Sequence, residues 1–156
     1  MHSNSQKLQE LITLAHESFY RLVLVVGPSG VGKTGILKQL QVDQGYAHLN
    51  LNLELSCRLI DLSEKQRGMQ VKGLIADFLD TVGGKAVLLD NIEILFDVSL
   101  QQNPLLLLQG LSRNRTLVVS WNGSIQDGIL SYGEPWHPEF RKYACKDFLY
   151  ITVSAN

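Results

Sequence analysis

Apolar residues recur at helical spacing over residues 4–18 (Leu8, Leu11, Ile12, Leu14, Ala15), which predicts an amphipathic first helix. The pattern then changes. Leu22 to Val26 is an unbroken apolar run, the mark of a strand covered on both faces. Val31 to Leu40 predicts a helix, and Asp43 to Gly45 a turn. Tyr46 to Asn52 alternates apolar and polar and predicts a second strand. A short helix is expected over 53–62 and a longer one over Ser63 to Val82. Ser63 is its expected N-cap, Val71, Leu74, Ile75, Phe78 and Leu79 form its apolar face, and Gly83-Gly84 follows its end. Ala86 to Asp90 predicts a third strand. Ile92 to Phe96 opens another helical stretch, and Asn103-Pro104 starts a helix over Leu105 to Leu111. Thr116 to Trp121 predicts a fourth strand and Phe148 to Val153 a fifth. Between them, Gly123 to Pro138 carries three Gly and two Pro and is expected to be mainly loop.

Strands alternating with helices predict an α/β fold, a three-layer sandwich with a parallel sheet and helices on both faces. Ligand is then expected at the carboxyl ends of the strands. A chain of 156 residues suits one domain, 1–156. A net charge of -1 removes any general electrostatic drive toward DNA or anionic lipid. Cys57 and Cys145 are far apart and lack metal spacing, so both are expected to be reduced. The start, MHSNSQKLQELI, has no signal-peptide apolar region, and apolar runs such as Leu105 to Leu108 are far too short to span a membrane. A cytoplasmic protein is expected.

The chemistry begins where the first strand ends. Gly27-Pro28-Ser29-Gly30-Val31-Gly32-Lys33-Thr34, followed by Gly35, matches G-x-x-x-x-G-K-[ST] between a strand and a helix. Gly27, Gly30 and Gly32 let the backbone curl so that successive N–H groups face phosphate oxygens. The helix N-terminus adds partial positive charge. Lys33 is expected on the β- and γ-phosphates and Thr34 on Mg²⁺, so ATP and Mg²⁺ are the expected cofactors. Asp90 closes an apolar strand about 55 residues further on and is the expected second magnesium-side group. Hydrolysis also needs a base for water. Glu93 is the candidate, with Glu54 more distant; a helix-start carboxylate favoured by the dipole is the alternative role for Glu93. Asn122, then Ser120, end the fourth strand where a polar group reaches a terminal phosphate.

In GPSGVGKT, AVLLDNIE and TLVVSWNG, in that order, the chain resembles the AAA+ and related P-loop ATPases. The resemblance implies a five-stranded sheet of order 5-1-4-3-2 and a sensor role for Asn122. It also implies an arginine presented to a neighbouring subunit's nucleotide, with Arg141 the first candidate and Arg113 and Arg115 the next. The chain departs from that family at Asn91, where a glutamate normally follows the aspartate. No helical lid is expected after the fifth strand. Three stretches, LVLVVGPSGVGKTGIL, LLDNIEILFD with PLLLLQGLSRNRTLVVSWNG, and YGEPWHPEFRKY, are similar to the small lid-less P-loop protein of type III BREX bacteriophage-defence systems. That likeness implies self-association or work with a DNA methyltransferase, an alkaline-phosphatase-like protein and a large ATPase. His137-Pro138-Glu139 has a plainer reading as a helix start. Two other functions compete. A small-molecule or nucleoside kinase would share the fold size, but its arginine-rich mobile lid has no counterpart in the Gly123 to Pro138 loop. A DNA-associated module with structural ATP would use Lys65, Arg67, Lys72, Arg113 and Arg115 as a local basic face.

Overall fold

Reciprocal caps start the two long helices. Ser3 Oγ accepts from Gln6 N–H at 3.1 Å while the Gln6 side chain accepts from Ser3 N–H at 2.8 Å, which satisfies two of the donors a helix start leaves open. Helix α1 runs from there over Asn4–Ala15. Ser63 and Gln66 repeat the arrangement at the start of α4, Glu64–Asp80. The computed structural model describes residues 3–154, so both ends of the expected 1–156 domain lie outside the described residues. The remaining helices are α2 (Lys33–Gln44), α3 (Leu51–Leu59) and α5 (Pro104–Leu111), with a 3-10 turn at Glu93–Phe96 where a helical stretch was expected. Among the described residues, no helix is long and apolar enough to cross a membrane.

The strands are β1 (Leu22–Gly27), β2 (Ala47–Asn50), β3 (Ala86–Asp90), β4 (Thr116–Gln126), β5 (Ile129–Tyr132), β6 (Arg141–Ala144) and β7 (Leu149–Thr152). They form a seven-stranded sheet, not the five-stranded one expected. Its parallel path runs β2-β3-β4-β1-β7, and β5 and β6 extend β4 with antiparallel pairing. The extra strands come from the segment read as loop. Strand β4 continues past Trp121 to Gln126 and turns back at Asp127-Gly128, both with positive φ (52° and 76°). That is the two-residue hairpin turn whose twist matches its flanking strands. Gly123 is required inside β4, because a Cβ there would run into the Ser131 carbonyl of β5. The glycines and prolines that suggested loop are thus one hairpin turn, one close strand approach and the connection to β6.

Burial explains the continuous apolar runs. Val23 and Val25 of β1 face α1 and α2, packing with Leu8, Ile12, Leu37, Leu40, Leu88 and Val118. Leu22, Leu24 and Val26 face the other way, with Leu51, Leu55, Val71, Ile75, Leu105 and Leu108 from α3, α4 and α5. Each side chain so buried contributes about 1.5–3 kcal/mol, and a strand covered on both faces has no position left for a polar residue until its end.

Candidate nucleotide site

The strand ends are where polarity returns. At Gly27 a Cβ would collide with the Val153 carbonyl, whose own amide donates to Val26 O at 2.7 Å. Glycine therefore lets the chain past β7 closely enough to enter the loop. Gly30 and Gly32 take positive φ of 83° and 96°, with open space where a side chain would stand. Gly32 also caps α2 without any side-chain acceptor. The first N–H groups of that helix are thus left for an anion. The Lys33 side chain turns back along the loop: Nζ donates to Gly27 O at 2.8 Å and Pro28 O at 2.6 Å. Burial lowers its pKa, opposed by the negative charges of Asp90 and Glu93.

A cavity of 360 Å³ opens above this loop, lined by Ser29, Gly30, Gly32, Lys33, Thr34, Asp90, Asn91, Glu93, Ser120 and Asn122. Every lining side chain is polar or absent. Gly35 lies outside it, in an adjoining cavity of 510 Å³ that shares Gly32. Gly27 and Pro28 contribute their carbonyls to Lys33, and Val31 packs beside Gly27.

Opposite the loop stands a carboxylate set by two amides. Asn91 adopts φ 53° directly after β3. This left-handed conformation is tolerated by asparagine and costs other side chains roughly 1–2 kcal/mol. It reverses the chain and returns Glu93 to the cavity, so the position after Asp90 is a turn residue here and the carboxylate arrives two residues later. Glu93 Oε1 accepts from Asn122 Nδ2 at 3.0 Å and Oε2 from Asn52 Nδ2 at 3.0 Å. Asn52 ties down the turn further: its Oδ1 accepts from Ile94 N–H at 2.8 Å, and its N–H donates to Asn91 O at 2.9 Å. Asp90 is 5% exposed, its carboxylate accepting from Asn91 N–H at 3.1 Å and lying 3.2 Å from His48 Nε2.

The aromatic hairpin holds Asn122 from behind. Trp121, fully buried, donates from Nε1 to Ser131 O at 2.9 Å. Its ring meets Phe96 and Tyr132 edge-on at 5.3 and 5.6 Å, and those two rings stack on each other. Burial, then the charges of Glu93 and Glu139, push the Tyr132 hydroxyl well above its ordinary pKa.

Lys33, Thr34, Asp90, Glu93, Ser120 and Asn122 thus converge. Arg141 does not join them. It opens β6 of the hairpin, half-buried, with Nη1 on Phe140 O at 3.1 Å. Glu54 pairs with Arg58 at 2.9 Å, away from the cavity. Residues 137–140 form turns leading into β6, not a helix start. The basic residues are engaged within the fold: Arg67 donates to the Leu59 and Leu62 carbonyls behind α3, Arg115 pairs with Asp80 at 2.6 Å, and Arg113 lies 3.5 Å over the Phe19 ring. Two residues absent from the sequence candidates belong to the site, Asn52 and His48. The alternation of Tyr46 to Asn52 marks a strand, and no local pattern marks which of its polar residues will meet a neighbouring strand end.

The open glycine nest, the uncapped α2 start and the buried ammonium fit a polyphosphate. Among the described residues no cluster of three acidic, His or Cys side chains could hold a metal by itself. One carboxylate and one hydroxyl, Asp90 and Thr34, instead suit Mg²⁺, which keeps waters and phosphate oxygens in its shell.

Two solved structures resemble the fold. C. elegans PCH-2 is 17% identical with a TM-score of 0.49, covering 96% of this chain and 41% of that one. Drosophila ORC bound to DNA is 18% identical with a TM-score of 0.47, covering 95% of this chain and 41% of that one. The chain therefore spans about two fifths of the length of these solved chains. No protein-family model matches the chain, and neither does any curated protein.

Proposed function

We propose that this protein binds ATP with Mg²⁺ in the cavity above Gly27–Thr34 and hydrolyses it, acting as a nucleotide-dependent switch or assembly subunit. The observation that carries this reading is the convergence of the glycine nest, Lys33, Thr34, Asp90, Glu93 and Asn122 on one polar cavity. The nest and the α2 start bind the phosphates, and Lys33 exchanges its loop carbonyls for phosphate oxygens. Mg²⁺, when bound by Thr34 and Asp90, neutralises charge on the phosphates. Glu93 takes a proton from the attacking water as the water oxygen bonds to the terminal phosphorus and the bond to the leaving ADP oxygen breaks. Asn122 and Asn52 hold the Glu93 carboxylate in place for that transfer, and Asn122 can turn its amide to the terminal phosphate. Arg141, outside the cavity of its own chain, is assigned to a second copy's nucleotide, which makes turnover depend on self-association. The wider setting we infer is a cytoplasmic BREX-type defence assembly, supported by the sequence likeness described above.

The test is ATP turnover across a range of protein concentrations, with Lys33→Ala as control. Specific activity that rises with concentration and is lost in Lys33→Ala is expected. Unchanged ATP affinity in Lys33→Ala would sink the proposal.

A further inference from the structure

The Asp90 carboxylate is held more firmly than a strand-end aspartate requires, and its second holder has no part in the steps above. In the β2–β3 register His48 stands opposite Leu88 and Asn50 opposite Asp90. His48 and Asp90 are therefore diagonal neighbours on the sheet face that Leu88 presents to α2. Such neighbours are separated by about 7–8 Å at the backbone, within reach of a long side chain. The imidazole spans that gap: Nε2 lies 3.2 Å from Asp90 Oδ2, with the two side chains 13% and 7% exposed. An ionised carboxylate only accepts, so Nε2 carries the hydrogen. Asp90 Oδ1 meanwhile accepts from Asn91 N–H. The carboxylate is thus pinned from both sides while still lining the cavity beside Thr34.

We propose that His48 is a positioning residue for the divalent cation, fixing the Asp90 carboxylate so that Mg²⁺ and nucleotide bind as one unit. The inference rests on the nucleotide reading above. Its physical basis is that groups hydrogen-bonded behind a metal-binding side chain orient it, and their loss typically costs 10–100-fold in metal affinity, to order of magnitude. A ring that merely filled space at the sheet edge would be replaced by leucine without effect on the cation.

The experiment is binding of a fluorescent ATP analogue, titrated with Mg²⁺, in wild type, His48→Leu and His48→Gln. The expected result is a Mg²⁺ half-saturation raised roughly 10–100-fold in His48→Leu. Affinity for the analogue without Mg²⁺ should stay unchanged, and His48→Gln, which keeps an N–H donor, should recover most of the difference. Should the leucine variant not fold, His48→Asn, polar but too short to reach Asp90, gives the same readout. Wild-type Mg²⁺ dependence in a folded variant overturns the proposal, as does an equal loss of affinity with and without Mg²⁺. A wild-type protein that fails to bind the analogue at all overturns the nucleotide reading as well, and the two failures are therefore distinguishable.

Discussion

The two walls of the cavity are built on different physical principles. The phosphate-loop wall is local. Residues within eight positions of one another, three of them glycine, set its curvature, and nothing packs where the side chains of Gly30 and Gly32 would be. The opposite wall is assembled from three distant strand ends. Asn52 follows β2, Asp90 and Glu93 follow β3, and Asn122 lies within β4, joined by hydrogen bonds of 2.8–3.0 Å. Behind it the buried rings of Trp121, Phe96 and Tyr132 supply rigidity that the loop wall lacks. A loop that must wrap a ligand gains from open glycines. A carboxylate that must meet one water gains from being clamped.

The comparison sharpens most at Glu93. Glu93→Gln keeps the hydrogen-bonding shape of the side chain and removes the base, so single-turnover hydrolysis should fall about 10²–10⁴-fold. Nucleotide affinity, set by the loop wall, should stay near wild type. Adding Asn91→Glu should not restore the rate, because the left-handed turn at Asn91 brings the chain back only at Glu93. Recovery of turnover in the double variant would show that the clamped geometry is not what selects the base.

Trp121→Ala attacks the clamped wall from behind. It should cost about 3–5 kcal/mol of stability in denaturant unfolding. In the fraction that remains folded, turnover should drop more than ATP affinity, since Asn122 is the next residue on β4. Equal losses in both would mean that the two walls are coupled.

The smallest effect is expected at Lys33, through pH. Its folded pKa is lowered from 10.5, chiefly by burial. Between that lowered value and 10.5 the unfolded chain binds more protons than the folded one, so this group's contribution to stability rises with pH. Tyr132 acts in the opposite sense: its raised pKa withdraws stability as pH climbs above its ordinary value of 10.0. The difference in unfolding midpoint between wild type and Lys33→Ala, followed from neutral pH upward, should therefore shift in favour of wild type. A difference independent of pH would mean that the ammonium is not desolvated.

Legibility followed the same division. GPSGVGKT could be read directly because its chemistry is contained in adjacent residues and needs only the strand before it and the helix after it. Asp90 was readable because it ends an apolar run. Glu93 was readable as a candidate, but its approach to the cavity depends on the backbone sign at Asn91. The hairpin was hidden because glycine and proline mark loops and tight strand pairings alike. Asp127-Gly128 between apolar flanks was the signal that could have separated them.

By itself, then, the sequence determined the alternation of strands and helices, the two-sided burial of β1 and β3, and the phosphate loop, all of which follow from periodicity and from residues close together in the chain. Only the tertiary structure decided that Asn52 and Asn122 clamp Glu93, that His48 reaches Asp90, and that Arg141 lies outside its own cavity. Those contacts join residues 29 to 42 positions apart. Their partners are chosen by strand order and register, which the local pattern of polar and apolar residues does not encode.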